Sequence, residues 1–182
     1  PALVNVTTGG MAGRVHGEHR PGPLRRAAMA TFSTATAPIS TAFKLRIGKD
    51  ISEGMGLRPL EESVKLARKY RTRLSLHATY PLEPMPEIVD RPGPGRRAVP
   101  HLPGQGPYSI LDENGRIFPE VWSARERGVL FDSAQGRIHC SFPVARAAIE
   151  QGFPPDVIST DLITFSVYQE RLFSLPVTMS RF

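Results

Sequence analysis

The sequence predicts an α/β fold built from parallel strand-helix-strand units, and three observations lead to it. Short apolar runs rich in β-forming residues alternate with helical segments from residue 42 onward. These units recur at a steady pitch close to the roughly 30 residues that a right-handed βαβ crossover needs. No Gly-x-Gly-x-x-Gly follows any of the runs, which weakens a nucleotide-binding open sheet. A doubly wound sheet and a (β/α)8 barrel both fit the alternation. A full barrel typically takes about 250 residues, so about five parallel strands with crossover helices in a chain of 182 residues read as a partial (β/α)8 TIM-type barrel.

Residues 1–41 are rich in Gly, Ala, Thr, Arg and Pro and sustain neither a period of two nor one of 3.6. They are expected to form a poorly structured or truncated N-terminal segment, leaving 42–182 as the barrel domain. Within that domain the strand runs are Ala42 to Ile47, Arg73 to Thr79, Ala98 to Leu102, Gly128 to Ser133 and Val157 to Leu162. Between the first two, Leu60, Val64, Ala67 and Tyr70 recur at helical spacing behind Pro59, a residue favoured in the first turn. Pro84 to Ile88 allows only a short helical turn. A helix is expected over Pro119 to Arg127, after the turn Asp112-Glu113-Asn114-Gly115 and before a C-capping Gly128. The last runs from about Phe142 to Gln151 and stops at Gly152, with Pro154-Pro155 beyond it.

Composition narrows the function classes. With 40% hydrophobic and 22% charged residues, the chain has the make-up of a soluble globular domain. No stretch reaches the roughly 18 consecutive apolar residues of a membrane span, so membrane partners are not expected. A single cysteine, Cys140, cannot form an internal disulfide and predicts a reducing, cytoplasmic setting. The charge of +6 and pI near 10.0 raise the question of nucleic acid. The excess is local, however: Arg14, Arg20, Arg25 and Arg26 in the first forty residues, and Arg91, Arg96 and Arg97 in a Pro/Gly-rich loop. No interleaved aromatic and basic motif accompanies them, which argues against nucleic-acid binding. A parallel sheet ending at five strands leaves two edges exposed and an inner face uncovered, which invites either association between copies, as a homo-oligomer, or disorder.

In a parallel barrel the chemistry lies at the C-terminal ends of the strands, so polar residues there carry information. Alternation puts Phe43, Leu45 and Ile47 on one face of their run and Lys44 with Arg46 on the other. An inward lysine needs a reason, because burying an unpaired ammonium is costly; a water-facing lysine on an edge strand is the plain alternative. His77 lies opposite Leu74 and Leu76, and His101 stands in Val99-Pro100-His101-Leu102. Either alone reads as a hydrogen-bonded structural histidine; together, at successive strand ends, they favour a metal. Asp161 after Val157-Ile158-Ser159-Thr160 either caps a helix or acts beside a metal, and Asp132 carries the same two readings. Imidazole and carboxylate donors suit one or two divalent ions, zinc first, with Asp161 placed to accept and return a proton. Lysine joins such a site once its amine has reacted with carbon dioxide to become a carboxylate-like bridge.

Several stretches then resemble one family. Phe43-Lys44-Leu45-Arg46, Leu76-His77-Ala78, Ile110-Leu111-Asp112-Glu113-Asn114-Gly115-Arg116, Ala124 to Asp132, Gln151 to Leu162 and the closing Leu175 to Phe182 resemble the amidohydrolase/deacetylase family of metallohydrolases. That family shares the amidohydrolase superfamily with dihydroorotases, and the resemblance covers roughly residues 42 to 182. It implies the C-terminal part of a barrel. Members carry a His-x-His pair on the first strand, a carbamylated lysine on the fourth, histidines on the fifth and sixth, and an aspartate on the eighth. By resemblance Lys44, His77, His101 and Asp161 take the last four places, with Asp161 also catalytic. The implied function is metal-dependent hydrolysis of amide or acyl C–N bonds in small molecules. The sequence departs from the pattern as well. It holds no His-x-His, since His16 and His19 are two residues apart, and it has Gln135 and Ile163 where members commonly carry histidine. A non-catalytic remnant or binding module of the same fold is the alternative.

Overall fold

The computed structural model describes residues 2–5, 40–48, 54–78, 81–91, 97–100, 108–134, 141–160 and 174–180. In chain order the elements are β1 (Ala2–Asn5), β2 (Ser40–Ile47), α1 (Arg58–Lys69), β3 (Arg73–Ala78), α2 (Met85–Asp90) and β4 (Arg97–Pro100). They continue with α3 (Pro119–Glu126), β5 (Leu130–Ala134), α4 (Phe142–Glu150), β6 (Val157–Ser159) and α5 (Leu175–Met179). The strands form one six-stranded sheet in the order β1-β2-β3-β4-β5-β6. Every neighbouring pair is parallel. From β2 to β6, sequential parallel neighbours are joined by helices, the arrangement of a partial (β/α)8 barrel.

The five expected strand runs are β2 to β6, and Ala2–Asn5, in the N-terminal segment, adds a sixth strand by pairing with β2. Four residues are too few to show a period of two, so this strand became visible only through its partner. β4, described over Arg97–Pro100, begins one residue before the expected Ala98 and pairs with Ser75 to Ala78. His101 follows its last residue and lies outside the described residues, as do Asp161, Gln135 and Ile163.

Proline starts each of the five described helices, within the first two positions, and none of them has a side-chain N-cap bond. A first-turn proline loses no hydrogen bond there and arrives with a helical φ. The helix ends are equally regular. Thr72 N–H donates to the Ala67 carbonyl, Val129 N–H to Ala124 and Phe153 N–H to Ala148, at 2.9, 3.0 and 2.9 Å. These six-to-one bonds turn on a left-handed residue just before the donor: Arg71 (φ 50), Gly128 (φ 87) and Gly152 (φ 82).

One face of the sheet carries the core. Phe43, Leu45, Ile47, Leu74, Leu76 and Ala78 are all buried, in one cluster with Leu60, Val64 and Ala67 of α1. The paired positions Phe43 with Leu74, Leu45 with Leu76 and Ile47 with Ala78 explain this, since side-by-side residues of parallel strands share a face. Each fully buried leucine of that layer contributes about 1.5–3 kcal/mol. Polar residues of these strands are thereby left to the opposite, inner face.

Candidate functional site

The inner face is read from register. Lys44 stands beside Ser75 on one side and Asn5 on the other, and Arg46 stands beside His77. His77 in turn stands beside Val99. β4 and β5 pair Ala98 with Phe131, so the next position sets Val99 beside Asp132, and Asp132 stands beside Val157. Arg46, His77, Val99, Asp132 and Val157 therefore form one row across five strands, with Lys44 one inward step nearer the strands' N-terminal ends.

Packing on the far side checks the assignment independently. Phe131 and Phe153 meet edge to face with centroids 5.1 Å apart, and Phe153 meets Trp122 of α3 at 4.8 Å. Phe131 thus looks to the helices, which turns its neighbour Asp132 inward. Both polar side chains are buried rather than solvated: His77 is 6% exposed and Asp132 4%. The Ser159 hydroxyl donates to Asp132 Oδ2 at 2.8 Å, tying β6 to β5 on the inner side.

A second carboxylate, Asp156, holds the same two strands from the helix side. Its Oδ2 accepts from Phe131 N–H at 2.8 Å and from Arg125 at 3.1 Å, and Arg125 also donates to the Pro154 carbonyl. The Arg125 guanidinium covers the Phe153 ring. Arg125 and Asp156 set the position of β6, the strand that ends two residues before Asp161. Period reading misses this pair, because it joins a helix to a loop across 31 residues.

Of the four residues expected as ligands, the structure describes two. Lys44 and His77 lie on the same face of adjacent strands; His77 is next to last in β3, whereas Lys44 is mid-strand in β2. His101 and Asp161 lie outside the described residues. Among the described residues no group of three or more His, Cys, Asp or Glu could hold a metal. What the described inner face does carry is the imidazole of His77, the carboxylate of Asp132 and the amine of Lys44. Asp132, ambiguous by local sequence, is placed on this face by the pairing. Ser159 escaped sequence reading, although its alternation with Ile158 carried the signal.

No protein-family model matches the chain. In sequence it is 29% identical over 138 residues to a deacetylase of Brucella anthropi and 28% identical over 138 residues to a deacetylase of Agrobacterium fabrum. Each alignment covers 76% of this chain, and 34% and 33% of those relatives. The chain thus spans about a third of the length of the curated relatives it matches. In fold it is similar to an adenine deaminase, with a TM-score of 0.78 at 22% identity, over 85% of this chain and 42% of that one. It is also similar to a dihydroorotase, with a TM-score of 0.67 at 25% identity, over 76% and 38%. No helix among the described residues is long and apolar enough to cross a membrane. The six-stranded parallel sheet and these similarities agree: the chain is similar in sequence to deacetylases and has the fold of a partial TIM-type barrel, similar to that of the adenine deaminase and the dihydroorotase.

Proposed function

We propose that the chain carries part of the site of a metal-dependent hydrolase that cleaves amide or acyl C–N bonds in small molecules. Lys44, His77, His101 and Asp161 are its metal-binding residues. The observation that carries this reading is the shared inner face of Lys44 and His77 on adjacent strands, with the helix-packed core on the other face. The deacetylase relatives support the substrate class. One or two divalent ions, zinc by preference for this donor set, supply Lewis acidity toward a carbonyl and toward water when bound.

The chain's own residues have separate tasks. His77 contributes a neutral imidazole held in a buried setting, which keeps the ring oriented. Lys44 becomes anionic when its amine nitrogen bonds the carbon of carbon dioxide and loses a proton to solvent. That conversion gives an inward lysine a carboxylate-like donor. Asp161 takes a proton from the attacking water and returns it to the departing nitrogen, so that the amine leaves neutral. A cytoplasmic setting suits a chain with Cys140 alone.

A second reading is a non-catalytic binding module of the same fold, favoured by Gln135 and Ile163 at positions where relatives of this kind carry histidine. Elemental analysis of the purified chain separates the two. The hydrolase reading expects bound divalent metal that is lost in His77→Ala and retained in His16→Ala. Metal-free protein, or equal content in both variants, overturns it.

A further inference from the structure

The residues of β6 do little to fix its register. The strand is Val157, Ile158 and Ser159, and all three are half-buried, so burial marks neither face as the core side. Register is strongly specified only where one face is buried, and a slip of one residue carries every side chain to the opposite face. The pairing of Val157 with Asp132 and of Ser159 with Ala134 therefore needs a hold from outside the strand.

Asp156, the residue before β6, supplies that hold. Its N–H donates to the Phe131 carbonyl at 2.9 Å, and its Oδ2 accepts from the Phe131 N–H at 2.8 Å. One residue thus grips both backbone groups of a single β5 residue, and a slip of β6 by one position breaks both bonds at once. Arg125 of α3 anchors the carboxylate at 3.1 Å, and Phe131 is held in turn by its edge-to-face contact with Phe153. The Ser159 hydroxyl on Asp132 Oδ2 closes the same register at the far end of the strand. The face and the height at which the chain leaves β6 follow from this grip, and Asp161 comes two positions after Ser159 in the sequence.

We infer that Asp156 is a positioning residue for Asp161: by gripping Phe131 it fixes the register of β6, and through that register the place from which Asp161 acts. The inference rests on the hydrolase reading, in which Asp161 is a metal-binding residue.

The test uses the purified full chain and two readouts, inter-strand NOEs by NMR and calorimetric titration with Zn2+ alone. In Asp156→Ala the NOEs that set Val157 beside Asp132 should weaken and zinc should bind about tenfold less tightly. Asp156→Asn keeps an acceptor for the Phe131 N–H and should restore most of both. Gln151→Ala, which loosens a neighbouring contact without touching β6, should leave zinc affinity at the wild-type value, an outcome that a merely general loss of stability would not give. Asp156→Ala added to Asp161→Asn should cost no further affinity, because it acts through Asp161. Should Asp156→Ala fail to fold, Asp156→Glu, which keeps the charge but lengthens the arm, takes its place under the same criteria. Unchanged NOEs, or a full further loss in the double variant, overturns the inference. Weakened binding in Asp161→Asn beside wild-type affinity in Asp156→Ala overturns it alone and leaves the hydrolase reading standing. Wild-type affinity in Asp161→Asn, or wild type that binds no zinc, overturns the reading of Asp161 as a ligand and this inference with it.

Discussion

The Arg125 guanidinium lies 3.5 Å from the centroid of the Phe153 ring, and through that stack a helix residue is joined to the loop that launches β6. The same guanidinium reaches Asp156, whose carboxylate holds Phe131 N–H at the start of β5. One side chain thus links α3, β5 and the approach to β6. Arg125→Ala removes a cation–π contact and a charge-assisted hydrogen bond, together about 2 kcal/mol for a pair that remains partly exposed. Arg125→Lys keeps the charge and loses the planar stack, so about half that loss is expected. Urea unfolding midpoints measure both. A lysine variant as unstable as the alanine variant would show that charge contributes nothing here.

Phe153 should matter chiefly through packing, with the Arg125 stack added to it. It is 2% exposed and contacts Trp122 and Phe131 edge to face. Phe153→Ala is expected to cost about 3–5 kcal/mol. Phe142, 52% exposed at the start of α4, should cost no more than about 0.5 kcal/mol when replaced by alanine. Similar losses at the two sites would mean that α4 packs differently from the arrangement described.

Gln151 clamps the turn at residues 111–117 to the end of α4. Its Oε1 accepts from Ile117 N–H at 3.0 Å, and its Nε2 donates to the Gly115 and Ala147 carbonyls at 2.9 and 2.8 Å. Gln151→Ala should cost about 1–2 kcal/mol and speed hydrogen exchange at the Ile117 amide. Gln151→Glu keeps the acceptor but sets a second acceptor against two carbonyls, so it should be no more stable than the alanine variant. Unchanged Ile117 protection in both would remove the clamp from the account.

How much of this was legible depends on whether local pattern or pairing decides. Helices α1 to α4 were, because each carries proline in its first turn and α1 repeats Leu60, Val64 and Ala67 on one face. The inward side of His77 was legible too, since Leu74 and Leu76 fix the helix side of β3. β1 was not, because four residues carry no period and its strand character comes from β2. α5 is similar: five residues with Leu175, Val177 and Met179 exposed give no amphipathic signal. The Asp132–Ser159 pair depends on the register of two strands, and register is set by partners rather than by either strand's own sequence.

Arg71 is the one non-glycine residue with positive φ among the described residues, at 50°, where α3 and α4 use Gly128 and Gly152 for the same turn. Arg71→Gly relieves a left-handed strain of about 1 kcal/mol but loosens the unfolded chain, for a net gain of up to about 0.5 kcal/mol. Gly152→Ala should lose about 1 kcal/mol through backbone strain alone, since nothing lies within 4 Å of an added Cβ. Thermal midpoints that move in the same direction for both would contradict the shared helix-end geometry.

The last prediction concerns Lys44, the residue whose placement most needs a chemical reason. It sits mid-strand in β2 on the inner face, beside Ser75 and Asn5, one inward step from the row that holds His77. A lysine kept there only as an ammonium would be indifferent to carbon dioxide. A lysine that serves as a metal donor must leave its ammonium form, which has no lone pair to offer, and a carbamate supplies anionic oxygen donors in its place. Incubation with zinc and carbon-13-labelled bicarbonate should therefore add one carbon dioxide to the chain by native mass spectrometry and give one carbamate carbon signal by NMR. Lys44→Ala should lose both, and the exposed Lys65, paired with Glu62 on α1, should be dispensable. Omitting zinc should weaken the signal, since the ion and the carbamate stabilise each other by linkage. A carbamate signal that survives in Lys44→Ala would place the chemistry on another lysine. No signal in wild type under zinc would leave Lys44 as a structural cation of the inner face and withdraw it from the proposed ligand set.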